Sequence, residues 1–576
     1  MSQTSTTSAE PEEQSDGAAP SSLAPRVFWP AAILVIGFVL VALIFPTGLN
    51  EAMGKASSTV VDGLGWYYVV LTFSFVVFCV WLAISRFGNI KLGKDDDEPE
   101  FGMLSWFAML FSAGMGIGLM FWGVAEPLNH FANPPPGTDG SPADVANAAM
   151  GRVFLHWGVH AWAVYVVVGL AVAYAVHRRG LPVSIRWALE PVLGDRVKGW
   201  LGDLIDVLAI VGTLFGVATS LGLGVNQVGA GLGFLNVADN GPWLQVILIG
   251  AITAIATLSV ASGVGAGIKW LSNINLGLAG FMLICVIVLG PTLFLFRDFV
   301  ESTGYYLQNF LQLSFSTLPY QGEPGETWLG SWTTFYWGWW MSWSPFVGIF
   351  IARISRGRTV REFIVGVLAV PTLLTMVWFT ALGGTALYRE LTGEGGLIGP
   401  DNGIDNDTAL FDMLEGLPGG PILAGLAVIM VVIFFVTSSD SGSLVVDMVA
   451  NGGNPDPPRW SRIFWAVLEG AIAASLIGAA ALTGGDAAEA LVGLQTMAIL
   501  VAAPFTLVMI LAAYCLVKSL RAEHKEILRL ERQVLRREIA EEAAELANSG
   551  SGAGGEAAAE TDSRSRESRR GKSRRS

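Results

Sequence analysis

The residues best able to do chemistry in this chain are aromatic. Trp332-Thr-Thr-Phe-Tyr-Trp-Gly-Trp-Trp-Met-Ser-Trp343 is followed at once by Ser344-Pro345-Phe346. Trp339 and Trp343 stand four apart, so a helix sets them on one face with Trp340 alongside. Packed indole faces hold a fixed positive charge that has no N–H to donate, which is what a cage for a quaternary ammonium group requires. Interfacial belts and plain packing are the other readings of tryptophan in a membrane protein, and they suit Trp328 and Trp332. Trp339, Trp340 and Trp343 lie deeper, beside a proline expected to open the backbone. A second aromatic group, Trp157, Trp162 and Tyr165, falls in the apolar run 151–176. His156 and His160 are four apart there, a spacing open to metal ligation, but the sequence offers no third ligand. Capping, packing and hydrogen bonding account for both.

Two further stretches are unusual. Ser112-Ala-Gly-Met-Gly-Ile-Gly118 sits inside an apolar run from Phe101 to Ala125. Each glycine in a helix is about 1 kcal/mol worse than alanine, and in hydrocarbon a loosened backbone finds no water. Such a weak point serves either close helix packing or an unwound turn whose carbonyls face a ligand or ion. Phe434-Phe-Val-Thr-Ser-Ser-Asp-Ser-Gly-Ser443 places hydroxyls at 437, 438, 439, 441 and 443 beside the carboxyl of Asp440. The hydroxyls can bond their own helix. Alternatively Thr437, Ser438 and the Phe434 carbonyl make a neutral oxygen set for a small cation, if a broken helix supplies more carbonyls. Asp440 is expensive at this depth and is a functional candidate, with Asp206 and Glu469 behind it. No G-x-S-x-G, H-E-x-x-H or P-loop is present, and no embedded pair of carboxylates has catalytic spacing, so an enzyme is not expected. A channel reading lacks a repeated pore signature.

The elements that must position these residues are membrane spans. Of 576 residues, 52% are hydrophobic and 14% charged, against roughly 25% charged in soluble domains. Apolar runs at 28–46, 66–85, 102–125, 151–176, 202–235, 243–262, 276–297, 331–352, 363–388, 421–446, 460–482 and 489–517 predict twelve transmembrane helices. Runs 202–235 and 331–352 are expected to be tilted or broken. Arginines and lysines gather in alternate loops, around 177–186, 269, 353–361 and 459–462, which places both termini in the cytoplasm. Glu126 is assigned to an outer, acidic loop at 126–150. Residues 299–318 mix apolar and polar side chains at helical spacing and predict an amphipathic helix on the outer surface. Residues 1–26 predict a disordered tail, with no cleaved leader expected. Beyond Lys518 a charged helix, a Gly/Ser/Ala linker and a basic end rich in arginine are expected, the last open to anionic lipid. The net charge of −14 and the few basic residues give no sign of a nucleic-acid surface. Cys79, Cys285 and Cys515 lie in apolar runs and predict neither disulfides nor a metal framework.

The segments 106–127, 154–174, 330–363 and 434–443, in this order and spacing, closely resemble the betaine/carnitine/choline transporter family, over roughly residues 27–517. The nearest likeness is to bacterial sodium-coupled glycine betaine carriers that answer osmotic stress. The resemblance implies an all-α integral membrane protein of the bacterial plasma membrane with a LeuT-like core. Two extra helices (28–100) would precede two inverted five-helix repeats (101–298 and 330–517). The outer-surface helix and loop (299–329) would lie between the repeats, with cytoplasmic segments 1–27 and 518–576 at the ends. It implies a homotrimer and sodium-driven uptake of a zwitterionic quaternary ammonium compatible solute by alternating access, with no cofactor beyond the sodium ion. A sodium-independent or proton-coupled carrier, and a protein acting chiefly as an osmosensor, are the alternatives.

Residue by residue, the resemblance puts the trimethylammonium group among Trp157, Trp162, Tyr165, Trp339, Trp340 and Trp343. The substrate carboxylate would meet backbone near Gly114, Met115, Gly116 and Gly118, and glycine rather than aspartate at 118 favours a zwitterion. One sodium would be held by Thr437 and Ser438 with carbonyls of Phe434, Ser112 and Met115. A second would use Thr213 and a threonine one turn on, near Phe346. That second position is Val217, which offers no oxygen, so either Thr219 or Ser220 substitutes through a shifted helix or the site is weakened. The tail beyond 518 also departs from the densely basic helix of osmosensing relatives, with Glu538, Glu541, Glu542 and Glu545 mixed in.

Overall fold

The computed structural model describes residues 23–114, 116–262, 265–393, 395–484 and 487–572. Residues 1–22 of the expected tail and Met115 lie outside the described residues, and Ser112 and Gly114 are described only as helical backbone. The architecture is helical, with a lone antiparallel bridge, Lys91 to Thr359, among the described residues. The main helices are α1 (Pro25–Ile44), α2 (Pro46–Ile84), α3 (Met103–Gly114), α4 (Ile117–Ala132), α5 (Pro142–Trp157), α6 (Val159–Ala173), α7 (Trp200–Phe234) and α8 (Pro242–Ser262). They continue with α9 (Gly265–Leu289), α10 (Thr292–Gln308), α11 (Phe335–Arg353), α12 (Val360–Leu391), α13 (Gly420–Ala450), α14 (Arg459–Thr483) and α15 (Ala487–Lys572). Among the described residues, ten helical segments are long and apolar enough to cross a membrane. The short pair α3 and α4 and the Trp- and Ser-rich α11 are not among the ten. Contacts divide the chain after Leu516, and the second unit is helical through Lys572, including the Gly/Ser/Ala stretch expected as a linker.

Helix breaks fall at different places from those expected. Run 102–125, whose glycines are open to close packing or an unwound turn, is interrupted: α3 ends at Gly114, and Gly116 takes φ −135° and ψ −147° at the start of α4. Run 151–176 is also broken, at Gly158 (φ −95°, ψ −137°), between Trp157 and Val159. By contrast α7, expected to be tilted or broken, is one continuous helix of 35 residues. Helix α11 is continuous too, in spite of Pro345. Proline has no N–H to give the carbonyl four residues back, here that of Met341. The Ser344 hydroxyl donates to that same oxygen at 2.8 Å, and Ser342 likewise caps the Trp339 carbonyl at 2.9 Å. Serine therefore closes the ladder that proline opens. The amphipathic helix α10 begins earlier than predicted, because Gly290-Pro291 ends α9 at Leu289. It buries Leu295, Ser302 and Tyr306 and leaves Leu293, Phe296, Val300 and Leu307 exposed.

Burial sorts the helices by position. The segments α5–α6 and α7 are mostly buried inside the protein, while α8 and α9 expose Ile247, Leu258, Phe281, Ile284 and Val288. Apolar side chains in that number on an outer face suit lipid. The two aromatic helices meet where side chains are absent. A Cβ placed on Gly348 of α11 would come within 2.7 Å of Val168 and 3.0 Å of the Gly169 nitrogen of α6. This backbone approach holds the tryptophans of α11 against those of α5 and α6.

Candidate functional site

The aromatic residues singled out in sequence come together in one buried cluster. Trp339 and Trp340 stack with ring centroids 4.6 Å apart and planes 15° from parallel, and Trp343 continues the row 6.4 Å from Trp339. Trp157, the last residue before the break at Gly158, meets Trp340 edge-on at 5.0 Å and Trp339 at 6.1 Å. Tyr165 lies 6.2 Å from Trp340, and Trp162 lies 5.5 Å from Tyr165. All six are buried. The belt reading, which needs rings at a water boundary, does not describe them. Among the described residues, the Tyr165 hydroxyl and the Trp343 Nε1 have no hydrogen-bond partner.

Gly118 packs against this cluster. A Cβ at 118 would sit 2.8 Å from Trp339 Cη2 and 3.0 Å from Trp157 Cη2, closer than real side chains approach. Glycine here lets the tips of two indoles come up against bare backbone, next to the break between α3 and α4. Two side chains donate to carbonyls in the first turn of α4, just past that break: Trp378 Nε1 to Leu119 O at 3.0 Å and Gln227 Nε2 to Met120 O at 3.0 Å. Neither donor was legible as part of the site, since each is a lone polar position in an apolar run.

The hydroxyl group of α13 faces the same break. A Cβ on Gly116 would meet the Ser438 Oγ at 3.6 Å. Thr437 bonds its own helix, donating toward the carbonyls of Ile433 (3.0 Å) and Phe434 (3.2 Å). Thr437 is therefore back-bonded, while Ser438 borders Gly116. Asp440 pairs with Arg462 at 3.4 Å. Asp206 is anchored by Arg186 and by Ser184, whose hydroxyl is 2.6 Å away, which ties the loop before α7 to its first turns.

For the second ion position the structure brings α7 against α11. Cβ atoms on Gly212 and Gly216 would contact the Ser342 carbonyl (3.2 Å) and Trp343 Cδ1 (3.1 Å). Thr213 is buried, and Phe346 stacks obliquely on Trp343 at 5.6 Å. Val217 faces Gly442 of α13. The Thr219 hydroxyl is engaged by carbonyls of Phe215 (2.9 Å) and Leu494 (3.0 Å), and Ser220 reaches Gly216 O at 3.4 Å. Both hydroxyls considered as substitutes thus point to backbone.

Glu126 is a correction. It lies in α4 rather than in an outer loop, and it is fully buried. One oxygen accepts from His130 Nε2 (3.3 Å) and His156 Nδ1 (2.8 Å); the other accepts from Trp157 Nε1 (2.6 Å) and the Tyr336 hydroxyl. His156 Nε2 pairs with Thr333 Oγ1 at 3.0 Å. Glu126, His130 and His156 thus converge, whereas His160, four residues from His156, stacks on Trp337 and takes no part.

The family model for betaine/carnitine/choline transporters matches residues 26–525. The chain belongs to this family. A glycine betaine transporter of Bacillus subtilis is 43% identical over 506 residues, covering 88% of this chain and 96% of that one. An uncharacterized transporter of Mycobacterium tuberculosis is 51% identical over 502 residues, covering 86% and 83%. Among solved structures, a Na+-coupled sialic acid symporter matches with a TM-score of 0.43 at 13% identity over 79% of this chain and 86% of that one, a likeness too weak to bear on the site. The protein is a multi-pass membrane transporter and not an enzyme.

Proposed function

We propose that this transporter takes up glycine betaine, or a related zwitterionic compatible solute, coupled to sodium and by alternating access. The observation that carries the reading is the buried cluster of Trp157, Trp339, Trp340 and Trp343, packed against the bare backbone of Gly118. In this reading indole faces attract the cation and backbone beside the glycine break meets the carboxylate. Likeness to proteins named glycine betaine transporters supports the same substrate class. Sodium would bind at Thr437 and Ser438 with carbonyls of Phe434, Ser112 and Met115, joining α13 to the glycine break. In that place it favours the state that receives substrate, and each step is a difference of affinity between two states. A second sodium at Thr213 and Phe346 is disfavoured by Val217, so we assign one coupling ion.

In this reading the broken α3–α4 pair and α11 join the ten candidate spans to give twelve, arranged as two extra helices and two inverted repeats of five. Both termini face the cytoplasm of a bacterium, the assembly is a homotrimer, and the physiological setting is osmotic stress. Val217 also favours a second reading, a proton-coupled or sodium-independent carrier. Uptake of labelled glycine betaine into proteoliposomes tests both. Accumulation with an inward sodium gradient and none with potassium is expected; equal exchange in both would move the protein to the second reading, and no flux would remove the substrate.

A further inference from the structure

The sequence reading left Glu126 out of the binding site, yet it is the most heavily hydrogen-bonded buried side chain next to it. Four donors from three parts of the fold converge on its carboxylate: His130 of its own helix, His156 and Trp157 at the end of α5, and Tyr336 of α11. A carboxylate only accepts, so the nitrogen of each histidine facing it carries the proton. Trp157 spans from this carboxylate to the cage. Its Nε1 sits 2.6 Å from Glu126 Oε2, while its Cη2 borders Gly118 and its ring lies edge-on to Trp340. Tyr336 does the same from the other side, stacking obliquely on Trp340 at 5.8 Å and on Trp339 at 6.2 Å. An N–H or O–H donated to a carboxylate leaves electron density on the ring that carries it, and ring density is what attracts a cation.

We propose that Glu126 is a specificity-determining residue of the substrate site. Its carboxylate charges the aromatic cage through Trp157 and Tyr336 and acts as the buried counter-charge to the quaternary ammonium group. The inference rests on the substrate class proposed above. It explains why a fully buried carboxylate is kept within the bundle, where an acid without a role is costly. It also separates two functions of the cage. Shape comes from the stacked tryptophans of α11, and sign of charge comes from α4. Thr333 holds His156 from behind at 3.0 Å, and His130 lies 4.5 Å from Trp332, so both histidines that donate to the carboxylate are themselves held in place.

The test uses the full-length transporter and two probes of nearly equal shape: glycine betaine, and tert-butylacetate, in which a neutral carbon replaces the charged nitrogen. Binding of each is measured by calorimetry on the purified protein. Wild type is expected to bind betaine and to prefer it to the carbon isostere. Glu126→Gln is expected to weaken betaine by about tenfold or more and the isostere by less than about threefold, because only the first contains a cation. Trp157→Phe, which keeps a ring but removes the N–H link, should reproduce the selective loss and serves if Glu126→Gln fails to fold. Tyr336→Phe leaves the carboxylate and one link, and should retain most of the preference. Equal losses for both probes would reduce Glu126 to a structural prop and overturn the inference, as would no loss for either. Wild-type protein that binds neither probe would take down the substrate reading together with it.

Discussion

At the scale of single residues the site is a matter of ring faces and one missing side chain. Removing an indole from the row should weaken a cation more than an uncharged ligand. Trp340→Ala and Trp343→Ala are each expected to cost about 1–2 kcal/mol of glycine betaine binding, measured on the purified protein. Unchanged affinity in both variants would remove these residues from the cage. Gly118 makes the converse prediction. A methyl group at 118 would need Trp339 Cη2 to retreat from 2.8 Å and Trp157 Cη2 from 3.0 Å, two rigid tips in a buried cluster. Overpacking of this kind typically costs about 1–3 kcal/mol, so Gly118→Ala should weaken betaine by roughly tenfold or more while the protein remains folded. Most of this cluster was legible in sequence, because tryptophan is rare and its clustering at helical spacing is conspicuous. Glu126 was not legible. A Glu-Pro pair at the end of an apolar run has the appearance of a helix end entering an acidic loop, and nothing local reveals the four donors that other helices bring to it.

At the scale of elements, glycine and proline were both recognised as weak points, but only glycine behaved as one. The backbone opens at Gly116 and at Gly158, where no side chain restricts it. At Pro345 it stays helical because the Ser344 hydroxyl occupies the Met341 carbonyl. The sequence Trp-Ser-Pro contains that compensation, and the hydroxyl next to the proline is its only trace. A double-mutant cycle isolates it. Ser344→Ala should destabilise the transporter by about 1 kcal/mol, since a buried carbonyl loses its donor. In a Pro345→Ala background the restored N–H serves the same carbonyl, and Ser344→Ala should then have little effect. Melting temperatures of the four proteins in detergent give the coupling. An effect of Ser344→Ala that is equal in both backgrounds would mean that the hydroxyl matters for packing alone.

At the scale of the whole transporter, the number of coupling ions decides how steep a gradient of solute can be held. A zwitterion carries no net charge, so the charge moved per cycle equals the number of sodium ions. Each sodium driven by 100 mV contributes about 2.3 kcal/mol, and a tenfold sodium gradient adds about 1.4 kcal/mol. One ion therefore supports a limiting accumulation of roughly 500-fold, and two support roughly the square of that. In the sodium-coupled reading proposed above, Val217 in place of a hydroxyl, with Thr219 and Ser220 bonded to backbone, assigns the wild type the first figure. Val217 packs toward Gly442, so a threonine of similar shape fits there with its oxygen available to turn toward Thr213. The voltage at which betaine flux reverses, measured in proteoliposomes with fixed sodium and betaine gradients, counts the ions without reference to rates. Wild type should reverse at the one-ion voltage. Val217→Thr should move the reversal toward the two-ion value and raise the sodium Hill coefficient of uptake above one, because transport would then require both sites to be filled together. A wild type that already reverses at the two-ion voltage would show that α7 binds sodium without the second threonine, and the ion would then have to draw on Thr213, Phe346 and backbone alone.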